Sequence, residues 1–278
     1  MKGRGGATGR PAPGAEGGRT LMWLIPARGR SPEARPSPPA AGGWWDCHCH
    51  VLPALDDGPR DWDTALAMLR LAAASGTGTL IATPHAVDGL YPTTAPQVRQ
   101  AVSLLAARGA AAGIGLRLLP GQEIALVPDL AQRIRAGQLL TLGDAGSAAL
   151  VELPSLLLPV YWEEALFALR AAGLTPVIAH VERTSLWHQP ALARRLVASG
   201  ARFQLNASVF RAAGATRRQA LHWVAQGWIG CLGSDGHNLT TRPPTLSRLS
   251  ALASRLPALD ALLRHPPALL APLAAPEA

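Results

Sequence analysis

The chain has 278 residues, enough for one large domain such as an α/β barrel of roughly 250 residues, or for two small ones. Its net charge of +8 would suit an acidic partner, but residues 1–43 alone hold +5 of it, from Lys2, six arginines, Glu16 and Glu33. The remainder is only mildly basic, which argues against a nucleic-acid-binding class. Three cysteines make no disulfide framework, and no apolar run reaches the ~20 residues that span a bilayer, so a reduced, cytoplasmic protein without stable membrane insertion is expected.

Residues 1–43 are rich in Gly, Pro, Arg and Ala and are expected to be a disordered extension. Folded sequence is expected over 44–270, with a tail at 271–278. The first strand carries Asp46-Cys47-His48-Cys49-His50. Strand side chains alternate faces, so Asp46, His48 and His50 should share one face and Cys47 and Cys49 the other. Two converging imidazoles make a divalent-metal clip. A Pro- and Gly-punctuated loop then brings the paired carboxylates Asp56 and Asp57. Asp61 to Ser75 reads as a helix capped by Asp61.

The same rhythm continues. Thr79 to Thr83 is a buried strand that delivers His85, and a helix follows over about Ala95 to Ala112. Leu116 to Leu119 runs into Gln122-Glu123, with a short helix over Pro128 to Ala136. Ala148 to Val151 carries Glu152, with a helix from Tyr161 to Ala172. Thr175 to Ala179 carries His180, with a helix from Pro190 to Ser199. Arg202 to Leu205 carries Asn206, with a helix from Thr216 to Gln226. Trp228 to Gly233 leads to Ser234-Asp235-Gly236-His237, and a helical segment with a Pro-rich tail closes the chain.

Strands alternating with helices about seven times imply a parallel sheet. The polar residue sits at the strand's C-terminal end each time, which in a (β/α) barrel is the active-site mouth. An open doubly wound sheet would gather ligands at one crevice, not from nearly every strand. The expected fold is therefore an α/β, distorted (β/α)7 TIM-like barrel in a single domain. His188, His222 and His265 lie in expected helices or the tail and are left as structural or surface residues.

Seven ordered motifs carry a resemblance: Asp46-Cys47-His48-Cys49-His50, Asp56-Asp57-Gly58-Pro59, Ala82-Thr83-Pro84-His85, Gly121-Gln122-Glu123-Ile124, Ala179-His180-Val181-Glu182-Arg183, Gln204-Leu205-Asn206-Ala207-Ser208 and Ser234-Asp235-Gly236-His237-Asn238. Over about Trp44 to Pro244 the chain resembles the polymerase-and-histidinol-phosphatase (PHP) superfamily. Within it, the chain is most similar to the bacterial manganese-dependent protein-tyrosine phosphatases of capsule and exopolysaccharide loci. It departs from the pattern at Val181, Thr184 and Gly236, which bears on substrate range more than on metal binding.

The resemblance implies a trinuclear site. His48, His50, Glu123 and Asp235 would hold one metal. Glu123 would bridge to a second, completed by Glu152 and His180, while Asp57, His85 and His237 would hold the third. Arg183 and Arg242 would grip phosphate. Mixed imidazole and carboxylate ligands suit Mn, Fe or Zn better than Mg or Ca, and Mn2+ is the metal the resemblance implies. A lowered-pKa water would then attack phosphorus in line, without a cysteine nucleophile: Cys47, Cys49 and Cys231 all lack the arginine of a Cys-x5-Arg loop. The implied substrate is a phosphotyrosine protein, the tail of a bacterial tyrosine autokinase in polysaccharide export. The alternatives are another PHP phosphoesterase (histidinol phosphatase or 3′-nuclease) and a non-catalytic metal-binding module. An amidohydrolase with a carboxylated-lysine bridge is disfavoured, because Lys2 is the sole lysine.

Overall fold

The computed structural model describes residues 43–155, 157–264 and 269–270. Of the extension expected over residues 1–43, all but Gly43 lies outside the described residues, as do the tail over 271–278 and His265. Among the described residues, nine strands are interleaved with eight α-helices: β1 (Trp44–Cys49), α1 (Trp62–Ala74), β2 (Thr77–Ala82), β3 (His85–Ala86), α2 (Ala95–Ala111), β4 (Arg117–Pro120), β5 (Glu123–Ala125), α3 (Leu130–Arg135), β6 (Ala148–Glu152), α4 (Trp162–Ala171), β7 (Thr175–Ile178), α5 (Pro190–Ala198), β8 (Arg202–Asn206), α6 (Ala215–Ala225), β9 (Ile229–Gly233), α7 (Ser250–Ala253) and α8 (Pro257–Arg264).

The helices start where their sequences say. Asp61 Oδ1 accepts from Thr64 N at 2.7 Å and caps α1, which buries Ala65, Met68, Leu69 and Ala72 at helical spacing. Thr94 N donates to Gln97 Oε1 at 2.9 Å ahead of α2, which also carries a proline in its first turn.

The strands pair in parallel and form a curled sheet in two parts, ordered β1-β2-β4 and β3-β5-β6-β7-β8-β9. The division falls where the strand lines are broken by Thr83-Pro84, between β2 and β3, and by Gly121-Gln122, between β4 and β5. Proline cannot donate to a ladder. The outermost strands β1 and β9 pack side by side, with Cys47 and Cys231 in one cluster, and are joined by backbone hydrogen bonds at their C-terminal ends. There Asp235 N donates to His48 O and His50 N donates to Gly236 O, each at 2.8 Å.

Apolar residues fill three layers. One lies inside the curl and includes Cys47, Ile81, Leu150, Val177 and Cys231. A second packs β1 and β2 against α1 and α2, and the largest packs the longer sheet against the later helices. Strict alternation in β1 does not hold. Cys47 belongs to the inner layer, but Cys49 packs with Met68 and Leu69 on the outside. A register irregularity between Asp46 and Cys49 explains the change of face.

Candidate metal centre

His48 lies near the end of β1, His50 follows it directly, and His85 opens β3. Glu123 opens β5, Glu152 ends β6 and His180 follows β7, while Asp235 and His237 follow β9. All lie at one end of the curled sheet, with Asp57 arriving from the loop after β1. Glu123 is at the centre and 1% exposed. Its Oε2 stands 3.1 Å from His48 Nε2, 3.2 Å from His50 Nε2 and 3.2 Å from His85 Nδ1, and its Oε1 stands 2.7 Å from His180 Nε2. Glu152 lies 3.6 Å from His85 Nδ1 and 3.7 Å from His180 Nε2. Asp235 Oδ1 lies 3.7 Å from both His48 Nε2 and His50 Nε2. Asp57 Oδ1 lies 3.2 Å from His237 Nε2 and 3.6 Å from His85 Nε2.

These atoms form three groups sized for a cation: His48, His50 and Glu123; His85, Glu123 and Glu152; and His50, Asp57, His85 and His237. Two further observations fit a metal. His48 Nε2 and His50 Nε2 are 3.1 Å apart and converge on the same carboxylate oxygen. Ligands bonded at about 2.0–2.2 Å around one tetrahedral ion are spaced in much this way. In addition, the buried atoms His85 Nδ1 and His237 Nε2 have no aligned hydrogen-bond partner among the described residues. Leaving such lone pairs buried and unused is costly.

The electrostatics follow from crowding. Burial disfavours charge on His48 and His50, yet Glu123 and Asp235 push His48 up to about 9, and Asp56 and Glu123 push His50 up to about 10. Burial would raise Glu123, but His48, His180 and His50 hold it well below the usual carboxylate range. Asp235 is likewise lowered against its burial, by His48, His50, Arg183 and Arg242. Burial, with His50 beside it, lowers His237 to about 4, and burial beside Glu123 raises Glu152.

Behind these groups is a second layer that the sequence reading did not single out residue by residue. Asp56 Oδ2 sits 2.6 Å from His50 Nδ1 and accepts from His85 N at 2.9 Å, so it orients two imidazoles. Gln204 Oε1 is 3.0 Å from His48 Nδ1 and accepts from His180 N at 2.6 Å. Gln204 Nε2 donates to Asn206 Oδ1, and Asn206 Nδ2 donates to Asp235 Oδ2, each at 2.9 Å. This leaves Nε2 of both His48 and His50 pointing at Glu123. Tyr91 stacks on His85 with ring centroids 5.5 Å apart. Asp56, Gln204 and Asn206 stood inside the quoted motifs but with no supporting role assigned to them, and Tyr91 gave no signal.

His180 and Asp235 adopt φ of 27° and 54°, in the left-handed region that side chains rarely enter. The bonds His180 N to Gln204 and Asp235 N to His48 O hold them there. Gly233 is required by close approach, since a Cβ there would meet His48 Cβ at 2.5 Å. Both arginines face the mouth and share one carboxylate. Arg183 Nη1 is 2.8 Å from Asp235 Oδ2 and Arg242 Nη2 is 2.7 Å from Asp235 Oδ1. Asn238 Oδ1 accepts from Thr240 N, Thr241 N and Arg242 N and so shapes the loop that presents Arg242. His188 lies in a 3-10 turn and His222 in α6, neither in the cluster.

Comparison with known proteins gives a consistent picture. A family model described as "Capsular polysaccharide synthesis, CpsB/CapC" matches residues 44–257. Tyrosine-protein phosphatase YwqE of Bacillus subtilis is 38% identical over 202 residues, covering 71% of this chain and 78% of the relative. Tyrosine-protein phosphatase CpsB of Streptococcus agalactiae serotype III is 25% identical, covering 76% of this chain and 89% of the relative. A solved structure, described as belonging to YwqE from Bacillus subtilis and CpsB from Streptococcus pneumoniae, "unique metal-dependent tyrosine phosphatases", superposes with a TM-score of 0.70 at 33% identity. It covers 80% of this chain and 98% of that one.

Proposed function

The chain belongs to the CpsB/CapC family of capsular polysaccharide synthesis, and on that premise we propose that it is a metal-dependent protein-tyrosine phosphatase. The observation that carries this reading is the convergence of four imidazoles, those of His48, His50, His85 and His180, on the buried Glu123, beside two arginines at an open mouth. We read the curled sheet as a distorted (β/α)7 barrel and residues 44–270 as the phosphatase unit. His48, His50, Glu123 and Asp235 would hold one divalent ion, Glu123, Glu152 and His180 a second, and Asp57, His85 and His237 a third. His85 lies close enough to Glu123 and Glu152 to serve the second group as well, and His50 close enough to serve the third. Manganese suits this donor set, as do iron and zinc.

Divalent ions held by these residues would activate water for attack and offset charge on a phosphoryl group. The chain's own residues do the rest. Asp56 and Gln204 fix the ring orientation of His50 and His48. Asp235 pins Arg183 and Arg242 at the rim, where their remaining N–H donors face incoming phosphate oxygens. Both guanidiniums are partly exposed at the rim. No thiol takes part, since Cys47, Cys49 and Cys231 are all buried. The natural substrate on this reading is the phosphotyrosine tail of a bacterial autokinase, met in the cytoplasm.

The test is a substrate panel with the manganese-loaded protein: a phosphotyrosine peptide, histidinol phosphate and single-stranded DNA. Preferential hydrolysis of the peptide is expected. A higher kcat/KM on histidinol phosphate or DNA would move the protein to another phosphoesterase class. Full metal loading with no turnover of any of the three would make it a binding module.

A further inference from the structure

Two cavities open side by side beyond the ends of β8 and β9. The first, about 230 Å3, begins at the metal mouth and is lined by Arg183, Ser208, Arg211, Thr241, Arg242 and Arg248. The second, about 280 Å3, is lined by Phe210, Arg211, Arg217, Arg248, Leu252 and Arg255. Arg211 and Arg248 line both, so the two form one groove leading away from the site.

The charge of this groove is one-sided. Its one acidic lining residue is Asp235, whose two oxygens already face Arg183 and Arg242. Arg211, Arg217, Arg248 and Arg255 are exposed, and among the described residues none has a carboxylate within ion-pair distance. Some surface arginines elsewhere are paired, with Arg99, Arg133 and Arg264 each 2.7 Å from a carboxylate of Asp144, Asp88 and Asp260, and others such as Arg60, Arg70, Arg194 and Arg218 are not, among the described residues; what sets the groove apart is that four unpaired arginines line one continuous surface. Clustered like charge with no counter-charge is unfavourable in the free protein and becomes favourable when an anionic chain lies along it. The floor between the arginines is apolar, from Ala207, Leu249 and Leu252. Phe210, the one aromatic ring lining the groove, is buried at 5% exposure and offers no face on which a base could stack.

We propose that this groove holds the polypeptide flanking the phosphorylated tyrosine and selects substrates whose neighbouring side chains are carboxylates. The proposal rests on the phosphatase reading above and names the substrate class for that site. Arg183 and Arg242 take the phosphate, Arg211 and Arg248 the nearest acidic neighbours, and Arg217 and Arg255 the next.

The experiment compares kcat/KM of the manganese-loaded full chain on p-nitrophenyl phosphate, a phosphotyrosine peptide with Ser and Gly flanks, and the same peptide with Glu flanks. Each is measured at low and at high salt, for the natural chain and for the Arg211→Gln/Arg248→Gln variant. The natural chain should favour the Glu-flanked peptide about 3- to 10-fold, mostly through KM, as expected for a few exposed charge pairs, and salt should erase the preference. The variant should lose the preference while keeping its rate on p-nitrophenyl phosphate. Turnover of both peptides with equal kcat/KM, or a variant that keeps the preference, overturns the groove and leaves the phosphatase reading standing. No turnover of any substrate overturns both. A single-stranded oligonucleotide that competes better than an unphosphorylated Glu-rich peptide of equal charge would assign the groove to nucleic acid instead.

Discussion

Asp235 joins the two halves of the site. One oxygen faces the imidazoles of His48 and His50 at 3.7 Å, and both oxygens are held by guanidiniums. Substrate grip and metal assembly can still be separated by substitution. Arg183→Lys should keep the metal content, because Arg183 touches the cluster only through Asp235. Its turnover should fall by about 30- to 1,000-fold, roughly 2–4 kcal/mol, since an ammonium cannot bond Asp235 and two phosphate oxygens in one plane. Glu123→Gln should lose metal instead, because four imidazoles meet that carboxylate. Elemental analysis beside kcat distinguishes the two; a near-wild-type Arg183→Lys would make that arginine structural. The same residues predict a competition between metal and protons. In the metal-free chain His48 and His50 have values near 9 and 10, above the ordinary imidazole range, so both hold a proton at neutral pH. Their raised values stabilise the metal-free fold fully below about pH 6.5, and that contribution fades as pH rises through 9 to 10. Metal binding needs the neutral rings, so Mn2+ affinity should rise from pH 6.5 to 8.5 with release of up to about two protons. Calorimetry in buffers of differing ionisation heat measures that release, and a buffer-independent heat would refute it.

At the level of elements, the sequence showed most of what places the site. Each strand could be read as an apolar run ending in His, Glu, Asn or Asp, and the structure brings His48, His50, Asp57, His85, Glu123, Glu152, His180, Asp235 and His237 to one mouth. What it did not show depends on how strands cross. Pro84 and Gly121 looked like ordinary strand ends, yet with their neighbours they split two strand lines and divide the sheet. The contacts of Gln204 with His48 and His180 join residues far apart in the chain, and no local pattern encodes them. The change of face in β1 was equally hidden, because it arises from pairing with β2. It separates the cysteines: Cys47 lies inside the curl with Cys231, and Cys49 Sγ donates to Gly236 O at 3.5 Å on the outer side. Replacing all three cysteines with alanine should lower stability by about 1–3 kcal/mol through lost packing, leaving kcat within a few-fold of the natural chain. A chelator should abolish turnover in both proteins. Chelator-resistant hydrolysis, or a folded cysteine-free protein without activity, would return the chemistry to a thiol.

For the molecule as a whole, most of the net charge and the family match lie in different parts of the chain. Residues 1–43 carry +5 of the net +8, whereas the family match begins at residue 44 and every residue placed in the site lies beyond it. The folded part makes its first contacts at once. Gly43 packs so tightly on Gly78 that a Cβ would meet Gly78 Cα at 2.5 Å, and Trp44 N donates to Gly76 O at 2.9 Å. These contacts anchor β1 beside β2, and β1 delivers His48 and His50. A chain beginning at Gly42 keeps all of them. It should therefore melt within about 2 °C of the full chain, since losing as little as 1 kcal/mol in a domain of this size shifts Tm by roughly 2–4 °C. Its kcat on p-nitrophenyl phosphate should be unchanged. A chain beginning at Trp45 removes both anchors and should melt several degrees lower, with weaker metal retention. Thermal melts and metal content of the three chains side by side decide the matter. A large loss of stability already on starting at Gly42 would show that the Arg- and Pro-rich segment packs on the fold, and would extend the functional unit to the whole sequence.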